Sequence, residues 1–204
     1  MSYAFVFLAA YLLGNVNPSI IFSRLIHKKD IREMGSKNAG FTNTLRCLGP
    51  RLGSVVLTLD VLKGVAAVLL AGRFLSSSGF IPQLAGLAVV IGHIYPAFFG
   101  FRGGKGVATS AGVILALQWP VFLMALAMFG VVLLSTRYMS LASMTGALFL
   151  PFASVIYARA RGLEVLTWNL LFYAIITVTV IIMHRPNIKR LISRTENKLW
   201  GKKK

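Results

Sequence analysis

Apolar residues run along the chain in blocks separated by short polar segments. The block length matches the ~20 residues a helix needs to cross a bilayer's hydrocarbon core. Five blocks are plain: Tyr3–Ile26, Leu52–Phe74, Phe80–Phe99, Leu141–Ala158 and Glu164–Met183. A sixth, Val107–Ser135, is long for one span and short for two, and Gln118-Trp119-Pro120 lies inside it. Proline lacks a backbone donor and pushes the residue before it out of the helical region, so this block predicts two short helices joined near Trp119. In the first block, Gly14-Asn15-Val16-Asn17-Pro18-Ser19 interrupts the apolar run and predicts a broken helix.

Composition agrees with this reading. Of 204 residues 56% are apolar and 13% charged, yet Lys and Arg number 22 against 5 Asp and Glu, a net charge of +17. A soluble domain cannot hide that much apolar surface, and a disordered basic segment or a DNA-binding domain would not carry it. Cytoplasmic loops are enriched in Lys and Arg, and this fixes the span count. With seven spans, one side collects the basic residues of 24–51, Arg102, Lys105, Arg137 and the eight of 185–204. The other side keeps only Arg73, Arg159 and Arg161. Six spans would leave the basic tail outside. The expectation is an all-α integral membrane protein of seven transmembrane helices, N-terminus out (periplasmic) and C-terminus in (cytoplasmic). It forms one polytopic domain, residues 1–204, with a basic cytoplasmic tail at about 184–204 whose lysines hold anionic headgroups. The start, Met1-Ser2-Tyr3, has no basic segment or cleavage site of a signal peptide. The one cysteine, Cys47, has no partner for a disulfide, and no Cys/His cluster has metal-ligand spacing, so neither metal nor cofactor is expected.

The polar residues gather into few places. Loop one holds Gly35-Ser36-Lys37-Asn38-Ala39-Gly40-Phe41-Thr42-Asn43, followed by Arg46. Glycines let successive N–H groups converge on an anion, and Ser36, Asn38, Thr42 and Asn43 add side-chain donors. Gly100-Phe101-Arg102-Gly103-Gly104-Lys105-Gly106 feeds the helix starting at Val107. Its N–H groups and helix dipole suit an anion, with Lys105 as point charge. It is not a nucleotide P-loop, which needs Gly at 99 and Ser or Thr at 106, here Phe99 and Gly106. Asp60 and Lys63 lie inside the second span, three residues apart and able to pair. Gly92-His93-Ile94-Tyr95-Pro96 ends the third span, Ser140-Leu141-Ala142-Ser143 opens the sixth with Ser140 as candidate cap, and His184-Arg185-Pro186-Asn187 follows the seventh. On the seven-span topology, loop one, the Gly-Gly-Lys loop, the Ser140–Ser143 segment and His184 share the cytoplasmic face.

Two phosphate-type cradles suggest two phosphorylated ligands, and the membrane setting suggests that one ligand or product is a lipid. There is no Cys nucleophile with a base and no paired carboxylates. The His-x4-Asp acyltransferase pattern is absent, since Arg32, Phe98 and Lys189 stand five residues after His27, His93 and His184. Chemistry would rest on positioning and charge stabilisation, which suits a substrate already activated.

The motifs Gly-Ser-x-Asn-x-Gly-x-Thr-Asn, Asp-Val-Leu-Lys-Gly, Gly-His-x-x-Pro with Phe-x-Gly-Gly-Lys-Gly-Val-Ala-Thr, Ser-Leu-Ala-Ser and His-x-x-Asn-Ile occur in this order from about residue 10 to residue 200. In this the chain resembles the bacterial membrane acyl-phosphate:glycerol-3-phosphate acyltransferases, the PlsY family. The resemblance implies acyl transfer from a fatty acyl phosphate to glycerol 3-phosphate, giving lysophosphatidate and phosphate, the first acylation of phospholipid synthesis in the bacterial inner membrane. Neither acyl-CoA nor acyl carrier protein would be the donor, and no nucleic acid is a partner. By motif, Gly35, Ser36, Asn38, Gly40, Thr42 and Asn43 hold the acyl phosphate. Arg46, Lys105, Ser143, His184 and Asn187 hold glycerol 3-phosphate. Ser36, Arg46, Lys105 and His184 are the catalytic assignments, with Asp60, Lys63, His93, Gly103 and Gly104 supporting. Three positions depart from the family pattern: Lys37 stands where Gly is usual, Phe41 where Ala is, and Asn15 where Ser is.

A mixed anhydride carries a good leaving group and needs no covalent enzyme intermediate. His93, His184 and Asp60 are candidate bases by residue type; transfer of the proton to the donor's own phosphate oxygen is the favoured alternative. A transporter for a phosphorylated metabolite is the rival reading, supported by the broken first helix and Asp60. The small size and the missing repeat oppose it. A structural protein binding anionic lipids would account for the tail but not for two cradles.

Overall fold

The computed structural model describes residues 3–74, 80–165 and 167–200. Lys202, Lys203 and Lys204 of the expected basic tail lie outside them. Among the described residues all regular structure is helical. The chain forms two compact units, Met1–Leu117 and Gln118–Lys204.

In the first unit the apolar N-terminal block divides into α1 (Tyr3–Asn15) and α2 (Pro18–His27). The break is built by the polar residues between them. Asn17 caps α2, its side chain accepting from the Ile20 N–H at 3.2 Å, and Pro18 takes the first helical turn, where its missing donor has no consequence. After a 3₁₀ turn (Ile31–Glu33) come α3 (Phe41–Leu48), α4 (Pro50–Phe74) and α5 (Ile81–Ile94). The apolar block at 80–99 ends as regular helix at Ile94, ahead of Pro96, and closes with a 3₁₀ turn at Ala97–Phe99. Helix α6 (Val107–Leu117) completes the unit. The pairs α1 with α5 and α4 with α6 pack closely. A methyl added at Gly14 would overlap the Val89 carbonyl, and one at Gly92 the Tyr11 carbonyl. Gly64 and Gly112 stand in the same relation to Thr109 and Val61. Such small residues let helix backbones approach where lipid offers no hydrophobic drive to association.

The second unit comprises α7 (Trp119–Thr136), α8 (Met139–Ala160), α9 (Thr167–Met183) and α10 (Arg185–Ile192). The predicted break inside 107–135 falls at Gln118, whose φ of −150° interrupts the helix ahead of Pro120. Helix α8 packs between α7 and α9. Thr177 on α9 donates to the Ala147 carbonyl at 2.6 Å, and the Tyr173 hydroxyl is 2.8 Å from Gln118 Oε1 at the head of α7. Ser140 does not cap α8. Tyr138 holds that position with no side-chain cap, and the Ser140 hydroxyl is used elsewhere.

Among the described residues, five stretches are long and apolar enough to cross a membrane: Tyr3–His27, Pro50–Arg73, Ile81–Phe99, Trp119–Thr136 and Met139–Ala160. A sixth counts if α9 and α10, bent by 58°, form one. Helix α6 has 11 residues, ~16 Å of rise at ~1.5 Å per residue. That is about half a hydrocarbon core. Leu123, Leu126, Val131 and Leu134 of α7 stand exposed, as a lipid-facing surface requires. The fold is that of an all-α integral membrane protein.

Candidate active site

Loop one begins where α2 ends in a left-handed Lys28. Asp30 then organises the segment. One carboxylate oxygen accepts from the Arg32 N–H (2.9 Å) and Nε (3.0 Å), and the other from Arg32 Nη2 (2.9 Å) and Arg24 Nη2 (2.7 Å). Chiefly through the Arg32 side chain, against the opposing effect of burial, these contacts hold the Asp30 carboxyl well below the usual carboxylate range. The clamp aims Arg32 Nη1 at the Phe99 carbonyl (2.6 Å), at the end of the 3₁₀ turn, and at the Arg102 carbonyl (3.0 Å) of the glycine-rich loop that follows. A cavity of about 410 Å³ lies here, lined by Asp30, Arg32, Glu33, Lys37, Phe99, Gly100 and Arg102.

The cradle at 35–43 is braced from inside by Asn43. Its Oδ1 accepts from the Ser36 N–H (2.9 Å), and its Nδ2 donates to the carbonyls of Met34 (3.0 Å) and Ile31 (3.2 Å). Asn43 is thus committed to the loop's own backbone. Thr44, next in sequence and not singled out by motif, does similar work, its hydroxyl contacting the Gly40 carbonyl and Ser19. Gly35 and Lys37 both turn through the left-handed region, at φ 53° and 60°. The second value gives a physical reason for the glycine usual at position 37. Gly35, Ser36 and Lys37 are exposed and Asn38 partly so. Helix α3 then starts at Phe41 after Gly40, which offers no side-chain cap. The amides of its first turn, Thr42 among them, have no intrahelical acceptor, and Arg46 lies exposed in its last turn.

The second cradle differs from its expected form. The N–H groups of Gly103 and Gly104 do not point at a ligand; they donate to Ile94 (3.0 Å) and His93 (3.2 Å), pinning the loop against the end of α5. What the loop offers an anion is the first turn of α6 beyond the half-buried Lys105. Both glycines are needed for this approach. A methyl at Gly103 would overlap the His93 carbonyl, and one at Gly104 would overlap His93 Nε2 and the Ala39 carbonyl. The last overlap also shows that the two loops touch.

Beneath them lies a buried polar cluster. Lys63 Nζ is 2.8 Å from Asp60 Oδ1 and 2.8 Å from His93 Nδ1. It also donates to the carbonyls of Val16 (2.9 Å) and Gly14 (3.3 Å), left without helical donors by the α1–α2 break. The predicted Asp60–Lys63 pair exists, therefore, as part of a support reaching from the broken first helix through His93 to Gly104.

In the second unit, Ser143 is buried on the first turns of α8, its hydroxyl donating to the Met139 carbonyl at 2.8 Å. His184 caps the junction of α9 and α10. Its Nδ1 lies 2.8 Å from the Val180 carbonyl, so Nδ1 carries the proton in the neutral ring. Asn187, also buried, donates to Glu196 at 2.7 Å. Sequence reasoning missed Asp30, Arg32, Thr44 and Glu196. Only the rarity of carboxylates, five in the chain, marked the acids as unusual.

The family profile described as Glycerol-3-phosphate acyltransferase matches residues 4–194. The glycerol-3-phosphate acyltransferase of Clostridioides difficile (strain 630) is 44% identical over 206 residues, covering 99% of this chain and 98% of the relative. That of Thermoanaerobacter sp. (strain X514) is 42% identical over 193 residues, covering 95% and 93%. Two crystal structures of PlsY (YgiH), an integral membrane glycerol 3-phosphate acyltransferase, superpose on the chain. The glycerol 3-phosphate form has a TM-score of 0.88 at 36% identity, covering 98% of this chain and 96% of the other. The lysophosphatidic acid form has a TM-score of 0.84 at 35% identity, covering 97% and 95%. With sequence match, superposition and motif order in agreement over nearly its whole length, the chain belongs to the glycerol-3-phosphate acyltransferase family and is an integral membrane acyltransferase.

Proposed function

We infer that this chain transfers a fatty acyl group from an acyl phosphate to glycerol 3-phosphate, releasing lysophosphatidate and phosphate. The observation that carries the reading is the pairing of two anion-suited loops in the first unit. The 35–43 loop leads into the uncapped start of α3, and the 100–106 loop into α6. They are fastened by the Arg32 hydrogen bonds and by the contact of Gly104 with Ala39. Two phosphates are what the two substrates bring.

The donor's phosphate is assigned to the 35–43 loop, with Gly35, Ser36, Asn38, Gly40 and Thr42 as contacts and Asn43 bracing the loop from within. Glycerol 3-phosphate is assigned Arg46, whose planar fork suits a phosphate, and Lys105. Motif adds Ser143, His184 and Asn187 to that ligand. Ser36, Arg46, Lys105 and His184 are the residues on which turnover depends, and no cofactor enters. The acceptor hydroxyl oxygen attacks the acyl carbonyl carbon, the bond from that carbon to the phosphate oxygen breaks, and the hydroxyl proton passes to the departing phosphate. Such substrate-assisted transfer requires no residue as base. The use of Asp60, Lys63 and His93 as a buried support, with Lys63 filling the space against His93 Nδ1, agrees with this.

The topology we infer has seven spans, counting α1–α2 as one and α6 as a short one, with the N-terminus periplasmic and the tail cytoplasmic in a bacterial inner membrane. The active site then faces the cytoplasm. In a Cys47→Ser background, a cysteine introduced at Ser193 should resist an impermeant maleimide in intact spheroplasts and react once they are lysed; labelling in intact spheroplasts would reverse the orientation.

The activity is tested with the purified protein in detergent. Palmitoyl phosphate and glycerol 3-phosphate should give lysophosphatidate, and palmitoyl-CoA should give none. Glycerol 3-phosphate uptake into sealed liposomes without product would favour a transporter instead.

A further inference from the structure

The segment after α10 is tied back onto its own unit. Arg194 turns in the left-handed region, and the N–H groups of Thr195 and Glu196 return to the Arg190 carbonyl at 2.8 and 3.1 Å. Further on, the Leu199 N–H donates to the Arg137 carbonyl (2.8 Å), and the Lys198 ammonium lies 5.7 Å from the centre of the Tyr138 ring. The strap turns one carboxylate inward. The Glu196 side chain is 4% exposed. Oε1 accepts from the Ser140 hydroxyl (2.8 Å) and Asn187 Nδ2 (2.7 Å), and Oε2 accepts from Arg190 Nε (2.6 Å). Burial alone would push this carboxyl up. The hydrogen bonds from Asn187, Arg190 and Ser140, with Arg190's charge, outweigh it and hold the group ionised, below its ordinary range.

Two of the three donors belong to the segments that motif assigns to glycerol 3-phosphate. Asn187 is one of its residues, and Ser140 lies one helical turn before Ser143. An ionised carboxylate only accepts hydrogen bonds. Asn187 must therefore turn the nitrogen end of its amide to Glu196 and its oxygen end away. An amide oxygen suits a hydroxyl donor and repels a phosphate oxygen. On the acyl-transfer reading above, we propose that Glu196 is a positioning residue of the acceptor site: it fixes the Asn187 amide so that its oxygen meets the glycerol hydroxyls and not the phosphate. The tail thereby takes part in acceptor recognition, beyond holding the protein to anionic lipid.

The test is a kinetic comparison on the full chain. Three constants are measured: KM for glycerol 3-phosphate, KM for palmitoyl phosphate, and the inhibition constant of methyl phosphate competing with glycerol 3-phosphate. Methyl phosphate carries the phosphate and no glycerol hydroxyl. Glu196→Ala should raise the first about 10-fold, the scale of a lost hydrogen bond to a charged group, and leave the other two unchanged. Glu196→Gln keeps an oxygen for Ser140 and Asn187 and loses the partner of Arg190, so it should stay close to wild type. Asn187→Ala should match Glu196→Ala, and the double variant should be no worse than Asn187→Ala alone. If Glu196→Ala fails to fold, Glu196→Asp, which draws the carboxylate back by one methylene, should show the same selective rise in smaller degree. A parallel change in all three constants, additive single variants, or unchanged kinetics overturns the proposal. A wild-type protein that makes no lysophosphatidate fails the acyl-transfer reading itself, an outcome distinct from these.

Discussion

Lys63 is the cation on which the interior of the first unit depends, and removing it tests the physical account directly. Its ammonium lies 2.8 Å from Asp60 Oδ1, 2.8 Å from His93 Nδ1, and within 3.3 Å of the Gly14 and Val16 carbonyls. The Asp60 and Lys63 side chains are 1% and 5% exposed. In Lys63→Met the apolar stem keeps its volume while the charge goes. Asp60 is then left in the membrane interior with His93, at 3.3 Å, as its one remaining ion-pair partner among the described residues. Breaking a buried pair from one side costs about 3–5 kcal/mol. For a chain of this length that lowers the thermal midpoint by about 10 °C, taking ~2–4 °C per kcal/mol. Asp60→Asn strips the carboxylate's charge but leaves Lys63 its two carbonyls and His93, so its loss should be smaller. The double variant holds no unpaired charge and should fall short of the sum of the single losses by about 2 kcal/mol. Midpoints of the purified protein in one detergent provide the cycle. Additive losses, or a Lys63→Met protein as stable as wild type, would refute the reasoning.

Three further outcomes follow from the loops. Lys37→Gly, which relieves a left-handed non-glycine residue at φ 60°, should raise stability by about 1 kcal/mol, read as an upward shift in the same melting assay. Gly104→Ala drives a methyl into His93 Nε2 and the Ala39 carbonyl. The loop bearing Lys105 must move, and kcat/KM for glycerol 3-phosphate should fall at least ~10-fold, since displacements of about 1 Å at a site cost up to ~100-fold. Arg32→Lys loses the fork that joins Asp30 to the Phe99 and Arg102 carbonyls. A point charge cannot replace that fork, so KM for glycerol 3-phosphate should rise several-fold while a mild drop in melting temperature accompanies it.

The helices were legible because bilayer thickness imposes a length on apolar blocks and because proline and asparagine mark their breaks. Asn17-Pro18 and Gln118-Trp119-Pro120 interrupt the chain where expected. The Asp60–Lys63 pair was legible for a similar reason, since a charge at that depth requires a partner. The direction of the glycine-loop amides was not. Gly103 and Gly104 look like anion ligands in sequence, yet their N–H groups bond to the Ile94 and His93 carbonyls at the end of α5, a pairing no local pattern encodes. Asn43, which reads as a ligand, instead braces its own loop. Glu196 was hidden within a basic tail that reads as a membrane tether, because its partners Ser140 and Asn187 come from segments distant in sequence or across a turn.

The central claim is that positioning and charge alone move the acyl group directly from one phosphate-bearing substrate to the other. It is tested most directly by single-turnover quench with acyl-labelled palmitoyl phosphate and excess enzyme. With glycerol 3-phosphate present, label should appear in lysophosphatidate in step with phosphate release, and at no time on the protein. With the acceptor omitted, no phosphate burst should occur. Labelled protein, or a stoichiometric phosphate burst without acceptor, would contradict direct transfer and require a covalent acyl-enzyme.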